Sequence, residues 1–333
     1  MTEDMSALPD SPASPCDPSL PGLSQIGDDS AENRRSATTQ GERSGDSPCG
    51  TPIPHFGGLP MRPGSEAVAL ELPVGRLTAL RAHPTGAARG VVLWVPGFTG
   101  SKEDAHEILP RLADTGWDAW SYSQRGQADS AQPVDDDYSL DALAGDAVAV
   151  ARLVGGGAPV HLIGHSLGGV VARAAVVSDP SAFTSVTLLC SGPKGWPGRH
   201  DATTETVAQA GSIGLWERDN PEKVDATDEE IGAFEAFFRH RAAATADQNL
   251  LQGASILRSE DDTTDALRET AVPVLVAHGE HDDKWPIDWQ RDMAERLGAR
   301  YVVIPGGAHS PQAEAPEATL EALDSFFSSL AVN

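Results

Sequence analysis

From Glu66 onward, short apolar runs alternate with stretches in which apolar residues recur every three or four positions. The runs at 67–72 and 77–82 flank Pro73-Val74-Gly75 and predict an opening hairpin. Residues 91–95 are apolar throughout, the pattern of a strand covered on both faces. Further strands are predicted at 117–122, 160–163, 186–190, 274–277 and 300–304, which brings the count to eight. Helical patterns lie between them. Ile108, Leu109 and Leu112 follow Asp104 and Glu107, which have capping-box spacing, and Leu140, Leu143, Ala147, Val150 and Val154 follow Ser139. Two more helices are predicted over 288–297 and behind Pro316, where Leu320, Leu323, Phe327 and Leu330 share a face. The alternation predicts an α/β fold: a mostly parallel eight-stranded sheet with helices on both faces.

The pattern fails in two places. Residues 1–60 are rich in Pro, Ser, Asp and Gly and show no period, so they bury too little apolar surface to offset their ordering entropy and are expected to form a disordered tail. After residue 190 the alternation stops for about seventy residues. There, Thr227 and Glu230 cap a helix presenting Ile231, Phe234, Phe237 and Phe238, and a second helical stretch runs near 246–257, which together predict a helical insertion. The expected organisation is a tail at 1–60, a first part of the core at 61–192, the insertion at 193–268 and a second part of the core at 269–333.

Composition narrows the partners. With 49 acidic against 24 basic residues, a net charge of −25 repels phosphate backbones and anionic membranes, so nucleic acid is excluded as a partner. No apolar run approaches the roughly 18 residues of a membrane span, and Glu3 and Asp4 stand where a secretory signal carries basic residues, so a cytoplasmic location is expected. Cys16, Cys49 and Cys190 form neither a zinc spacing nor a disulfide framework. A Cys16–Cys49 bridge would staple only the tail, and Cys190 at a strand end reads as a small apolar side chain.

The chemistry centres on Gly164-His165-Ser166-Leu167-Gly168, which follows a predicted strand and opens a predicted helix. A serine on such a turn is a nucleophile elbow: Gly164 and Gly168 leave room for a backbone too tight for flanking side chains, and the Leu167 amide stays unpaired for a developing oxyanion. A serine hydroxyl needs a base and a group to orient that base. Two loops at strand ends can supply them, 278–286 and 305–311.

With these residues in place, the chain from about Glu66 resembles the serine α/β-hydrolases with a helical cap, close to the carboxylesterase, monoacylglycerol-lipase and lysophospholipase group. In that family the acid loop reads glycine, two residues, aspartate, then a proline four further on. This implies Asp282 as the acid, with Asp283 as the alternative. The histidine loop runs on to a glutamate and a proline, matched by His309, Glu314 and Pro316, so His309 is the implied base. The second oxyanion donor is implied at the Phe98 amide, in a turn where Pro96-Gly97 replaces the family's His-Gly and so loses the histidine that usually braces it. Ser123 to Ser130 resembles the family's Asp-x-Arg-Gly-x-Gly-x-Ser loop, with Ser123 for the aspartate and Ala128 for the second glycine, and is read as scaffolding.

The insertion's underside would roof the pocket, so Trp196, Trp216, Phe234, Phe238 and Trp285 are expected to line it. His278, Glu280, His281, Asp282 and Asp283 have metal-ligand chemistry, but adjacent loop residues rarely converge on one ion, so no metal is expected. His161 and His165 are read as structural, Lys102 as a solvated loop residue, and His83, His106, His200 and His240 as lacking a partner pattern. The resemblance implies a cofactor-free serine hydrolase acting on a small to medium ester with an apolar part. Thioesterase, lactonase, carbon-carbon hydrolase and perhydrolase activities share the triad, and a non-catalytic ligand-binding protein is the alternative outside enzymes.

Overall fold

A computed structural model describes residues 50–330. The expected tail up to residue 49, with Cys16 and Cys49, lies outside the described residues. The strands are β1 (Thr51–Pro52), β2 (Ser65–Leu72), β3 (Gly75–Ala82), β4 (Val91–Val95), β5 (Asp118–Tyr122), β6 (Val160–His165), β7 (Phe183–Leu189), β8 (Val274–Gly279) and β9 (Arg300–Ile304). They form one sheet in the order β1-β2-β3-β5-β4-β6-β7-β8-β9. From β5 through β9 every pairing is parallel, and β1 to β3 add an antiparallel edge.

The described sheet therefore has nine strands where eight were expected. The ninth, β1, comes from the presumed tail: Thr51 and Pro52 pair with Ala69 and Val68, and Leu59 is buried. Pattern reading misses it because a two-residue edge strand has no period, and proline tolerates only such an edge.

The core helices are α1 (Ile108–Asp114), α2 (Leu140–Val154) and α3 (Leu167–Ser178), and after the insertion α9 (Ile287–Leu297), α10 (Pro311–Glu314) and α11 (Pro316–Leu330). One apolar layer packs α2, α3 and α9 on the sheet; a second packs α1 and α11 on the other face. Ser139 caps α2 by accepting from the Ala142 amide. Asp104 does not cap α1 with Glu107. It accepts from the Ser101 amide at 3.4 Å and closes the 3-10 turn Lys102–Ala105.

Between β7 and β8 the insertion contributes α4 (Asp201–Ala210), α5 (Ile213–Asp219), α6 (Asp228–Ala244), α7 (Asp247–Ser259) and α8 (Thr264–Glu269). Thr227 and Glu230 form the capping box of α6. The first four helices make the cap, with a small apolar cluster of Val207, Leu215 and Leu250. α8 packs on α3 and α9, and its Leu267 belongs to the main core, as do Ile256 and Leu257 of α7.

Candidate active site

Ser166 joins β6 directly to α3 with φ 54 and ψ −117, a backbone that side chains rarely adopt. The turn closes because its neighbours lack side chains: a Cβ on Gly164 would stand 2.2 Å from the Gly168 carbonyl oxygen, and one on Gly168 would stand 2.2 Å from that of Val95. The Leu167 amide opens α3, where the helix dipole favours negative charge.

Two loops from later strands complete the floor. After β8, Asp282 is buried. Its Oδ1 meets His309 Nδ1 at 2.8 Å and the Lys284 amide at 3.0 Å, and its Oδ2 accepts from Gln290 at 3.0 Å. Burial pushes this carboxyl upward, but the His309 bond and the other donors outweigh it and hold it below the usual carboxylate value. Asp283 instead points to solvent and pairs with Lys284. After β9, His309 is held through its own carbonyl, which accepts from His165 Nε2 at 2.7 Å. Burial, and then the neighbouring His309, lower His165 to about 3, so it stays neutral and serves as a fixed donor. His161 is likewise structural, packed between Trp117 and Phe327 and bonded to Ser185.

The turn carrying Phe98 passes against the elbow: a Cβ on Gly97 would lie 3.3 Å from both Ser166 Cβ and His165 Nδ1. The brace missing at Pro96 is supplied from the loop after β5. Gln124 Nε2 donates to the Pro96 carbonyl at 3.1 Å and Gln127 Nε2 to that of Gly97 at 2.9 Å, both side chains being buried. The second bond has a direct consequence, because the Gly97 carbonyl and the Phe98 N–H belong to one planar peptide. Holding the oxygen on one side aims the N–H to the other, and polarises it. The loop thus holds the turn that carries Phe98.

The same loop is itself fixed. Arg125 pairs bidentately with Asp146 at 2.6 and 2.7 Å, and the cap docks on it through Ala246 N to the Gly126 carbonyl and Asn249 to the Arg125 carbonyl. Ala128 adopts φ 47, which accounts for the family's glycine there. Lys102 is also not solvated: it is fully buried between Glu103 at 2.8 Å and Asp129 at 2.6 Å. Burial lowers its pKa, but these two carboxylates outweigh that and raise it.

Ser166, His309 and Phe98 line one cavity of about 1020 Å³ beneath the cap. Trp216, Phe234, Phe238 and Trp285 also line it. Trp196 does not: it stacks on Trp289 at 5.8 Å outside the cavity. His200, with no sequence signal beyond its place in the insertion, lines the cavity with its ring 5.0 Å from that of Phe98. Several charged side chains also line the cap side, Arg218, Lys223 and Arg241 among them, so the wall is mixed rather than apolar.

The residues of 278–283 do not converge. His278 turns to Tyr301, His281 is exposed beside Glu280, and Asp282 faces His309. Among the described residues, His165, Cys190 and His309 do bring possible ligand atoms within 4.8 Å of one another. Each histidine already spends a ring nitrogen on the bonds above, and burial, followed by Asp282, pushes the Cys190 thiol well up, away from the thiolate a metal needs.

A family model for the alpha/beta hydrolase fold matches residues 90–316. The chain belongs to the α/β-hydrolase family. This hydrolase is 30% identical over 240 residues to a non-heme haloperoxidase from Rhodococcus erythropolis, covering 66% of this chain and 85% of that protein. Its fold matches an esterase from Thermogutta terrifontis with a TM-score of 0.64 at 21% identity, over 80% of this chain and 99% of that one. It also matches an enol-lactonase from Burkholderia xenovorans at 0.65 and 19% identity, over 78% and 99%. Among the described residues of this hydrolase, no helix is long and apolar enough to cross a membrane.

Proposed function

We propose that this hydrolase cleaves carboxylic esters of small to medium size through an acyl-enzyme. Ser166 Oγ attacks the carbonyl carbon while His309 Nε2 takes its proton. Asp282 on Nδ1 holds the tautomer and stabilises the imidazolium. The amides of Phe98 and Leu167 receive the oxyanion, which collapses and expels the alcohol with the proton from His309. Water, activated by the same histidine, then releases the acid, and the scheme calls on no cofactor. The observation that carries the reading is that His309, bonded to the buried Asp282 at 2.8 Å, lines the same cavity as Ser166 on its strained turn. The apolar part of the ester would lie against Phe98, Leu215, Leu250 and Trp285.

The likeness to a haloperoxidase favours one variation, in which hydrogen peroxide replaces water and the acyl-enzyme opens to a peracid. A panel of p-nitrophenyl esters from acetyl to dodecanoyl, with and without peroxide, tests both readings against Ser166→Ala. Turnover should fall at least about 10⁴-fold in the variant. Equal turnover in the two proteins would remove Ser166 from the mechanism. Failure of a fluorophosphonate to label Ser166 would favour a ligand-binding role instead.

A further inference from the structure

The ester chemistry leaves the charged side of the cavity without a task. The lining carries five basic and four acidic side chains, a reversal of the 24 to 49 balance of the whole chain. Arg241 is the most enclosed of the basic residues on this wall, its side chain 10% exposed. It lies one turn beyond Phe237 and Phe238 on α6, with its guanidinium carbon 5.5 and 4.8 Å from their ring centres. Its Nη1 donates to Asp104 Oδ1 at 2.6 Å. No acceptor within the described residues bonds Nε or Nη2, and neither nitrogen is sealed from solvent. Arg241 is among the residues that line the cavity.

Its place relative to the chemistry follows from Asp104. A Cβ on Gly100 would lie 2.2 Å from Asp104 Oδ2 and 3.2 Å from the Gly97 amide nitrogen. The Asp104–Arg241 pair thus stands beside the turn that carries Phe98, in the cavity that Ser166 also lines. A guanidinium edge offers two parallel N–H donors in the spacing of a carboxylate, and this guanidinium is fixed between two aromatic side chains and one carboxylate.

We propose that the ester substrate carries a free carboxylate, and that the Nε–Nη2 edge of Arg241 binds it. The substrates would then be half-esters of dicarboxylic acids or esters of hydroxy acids. This rests on the esterase reading and narrows it. Asp104 keeps the guanidinium in place, and the substrate acid becomes its second partner. A neutral ester of the same length leaves that edge to water and forgoes two charge-assisted bonds.

The test compares matched pairs: p-nitrophenyl hydrogen adipate against p-nitrophenyl hexanoate, and 5-acetoxypentanoate against its methyl ester. The proteins are the full chain and the double variant Asp104→Asn with Arg241→Gln, which leaves no orphaned carboxylate; circular dichroism checks its fold. In the parent, kcat/KM should favour the acid of at least one pair by about tenfold or more, and the variant should lose that preference. A parent without preference in either pair, or a preference that survives in the variant, overturns the proposal. If no ester is cut, the esterase reading falls, and the acid seat is judged by thermal shift with adipate. Stabilisation of the parent that the variant loses upholds the seat, and no stabilisation sinks it.

Discussion

At the floor of the cavity, a Cβ on Gly168 would come within 2.2 Å of a backbone oxygen, Ser166 is held at φ 54, and Asp282 is bonded through both oxygens. At the roof, the turn after α5 is tied to α6 by Lys223–Glu235, whose side chains are 28% and 34% exposed, beside a separate cluster of three buried apolar residues. The floor is over-determined by close packing and buried hydrogen bonds, so its atoms have one arrangement. The roof is held in part by pairs that water can replace, beside buried ties such as Arg241–Asp104 and Phe237. Chemistry that fails with an error of 1 Å belongs on the floor, and recognition that must admit and release a ligand belongs under the roof.

The sharpest break should come from the floor. Asp282→Asn should lower kcat by about 10³- to 10⁴-fold, because the amide cannot hold the same imidazole tautomer, whereas Asp283→Asn should change it by less than about twofold. Ester kinetics on the two variants settle the matter, and the reverse ranking would move the acid by one residue.

Next in size is the brace between the regions. Gln127→Leu removes the donor that aims the Phe98 peptide, and should lower kcat about 10- to 100-fold with KM nearly unchanged, since the oxyanion forms only in the transition state. A rise in KM at constant kcat would show that the loop merely shapes the pocket.

Beneath the floor, burial lowers His161 to about 4, with Arg89 adding to it. The unfolded chain then binds more protons than the folded one between about pH 6.5 and pH 4. Stability should therefore fall as pH drops through that window, with no contribution from this residue above it. Replacing His161 by Asn should flatten the slope by up to about 1.4 kcal/mol per pH unit, as read by urea unfolding from pH 7 to 4.5. A slope that does not change would assign the acid lability to the other buried histidines.

The roof should respond least. Glu235→Gln breaks an ion pair largely screened by water, and should change stability by less than about 1 kcal/mol. A larger loss would mean that the cap depends on its surface charges as the floor depends on its glycines.

Much of the frame was legible because its signals are local. A fully apolar run such as β4, a serine cap on α2 and the Thr227–Glu230 box on α6 each depend on a handful of neighbouring residues. The elbow was legible for the same reason, since its glycines answer clashes within a few residues. The same logic erred where a short pattern had two readings: Asp104 serves the turn before it, and Thr51–Pro52 pairs at an edge that composition reads as tail.

Contacts across long stretches of chain were not legible. Nothing around Gln127 states that it meets a carbonyl 30 residues earlier, and nothing around Lys102 states that Asp129 will bury it. Trp196 and Trp216 look alike in the insertion, yet one packs outside the cavity and the other lines it. By itself, the sequence determined the alternation of strands and helices, the strained serine turn and the supply of an acid and a histidine at later strand ends, because backbone sterics and periodic burial act over a few residues. Tertiary structure alone decided which carboxylate faces His309, what braces the turn carrying Phe98 and which charges line the roof. Those depend on how distant segments share one buried space.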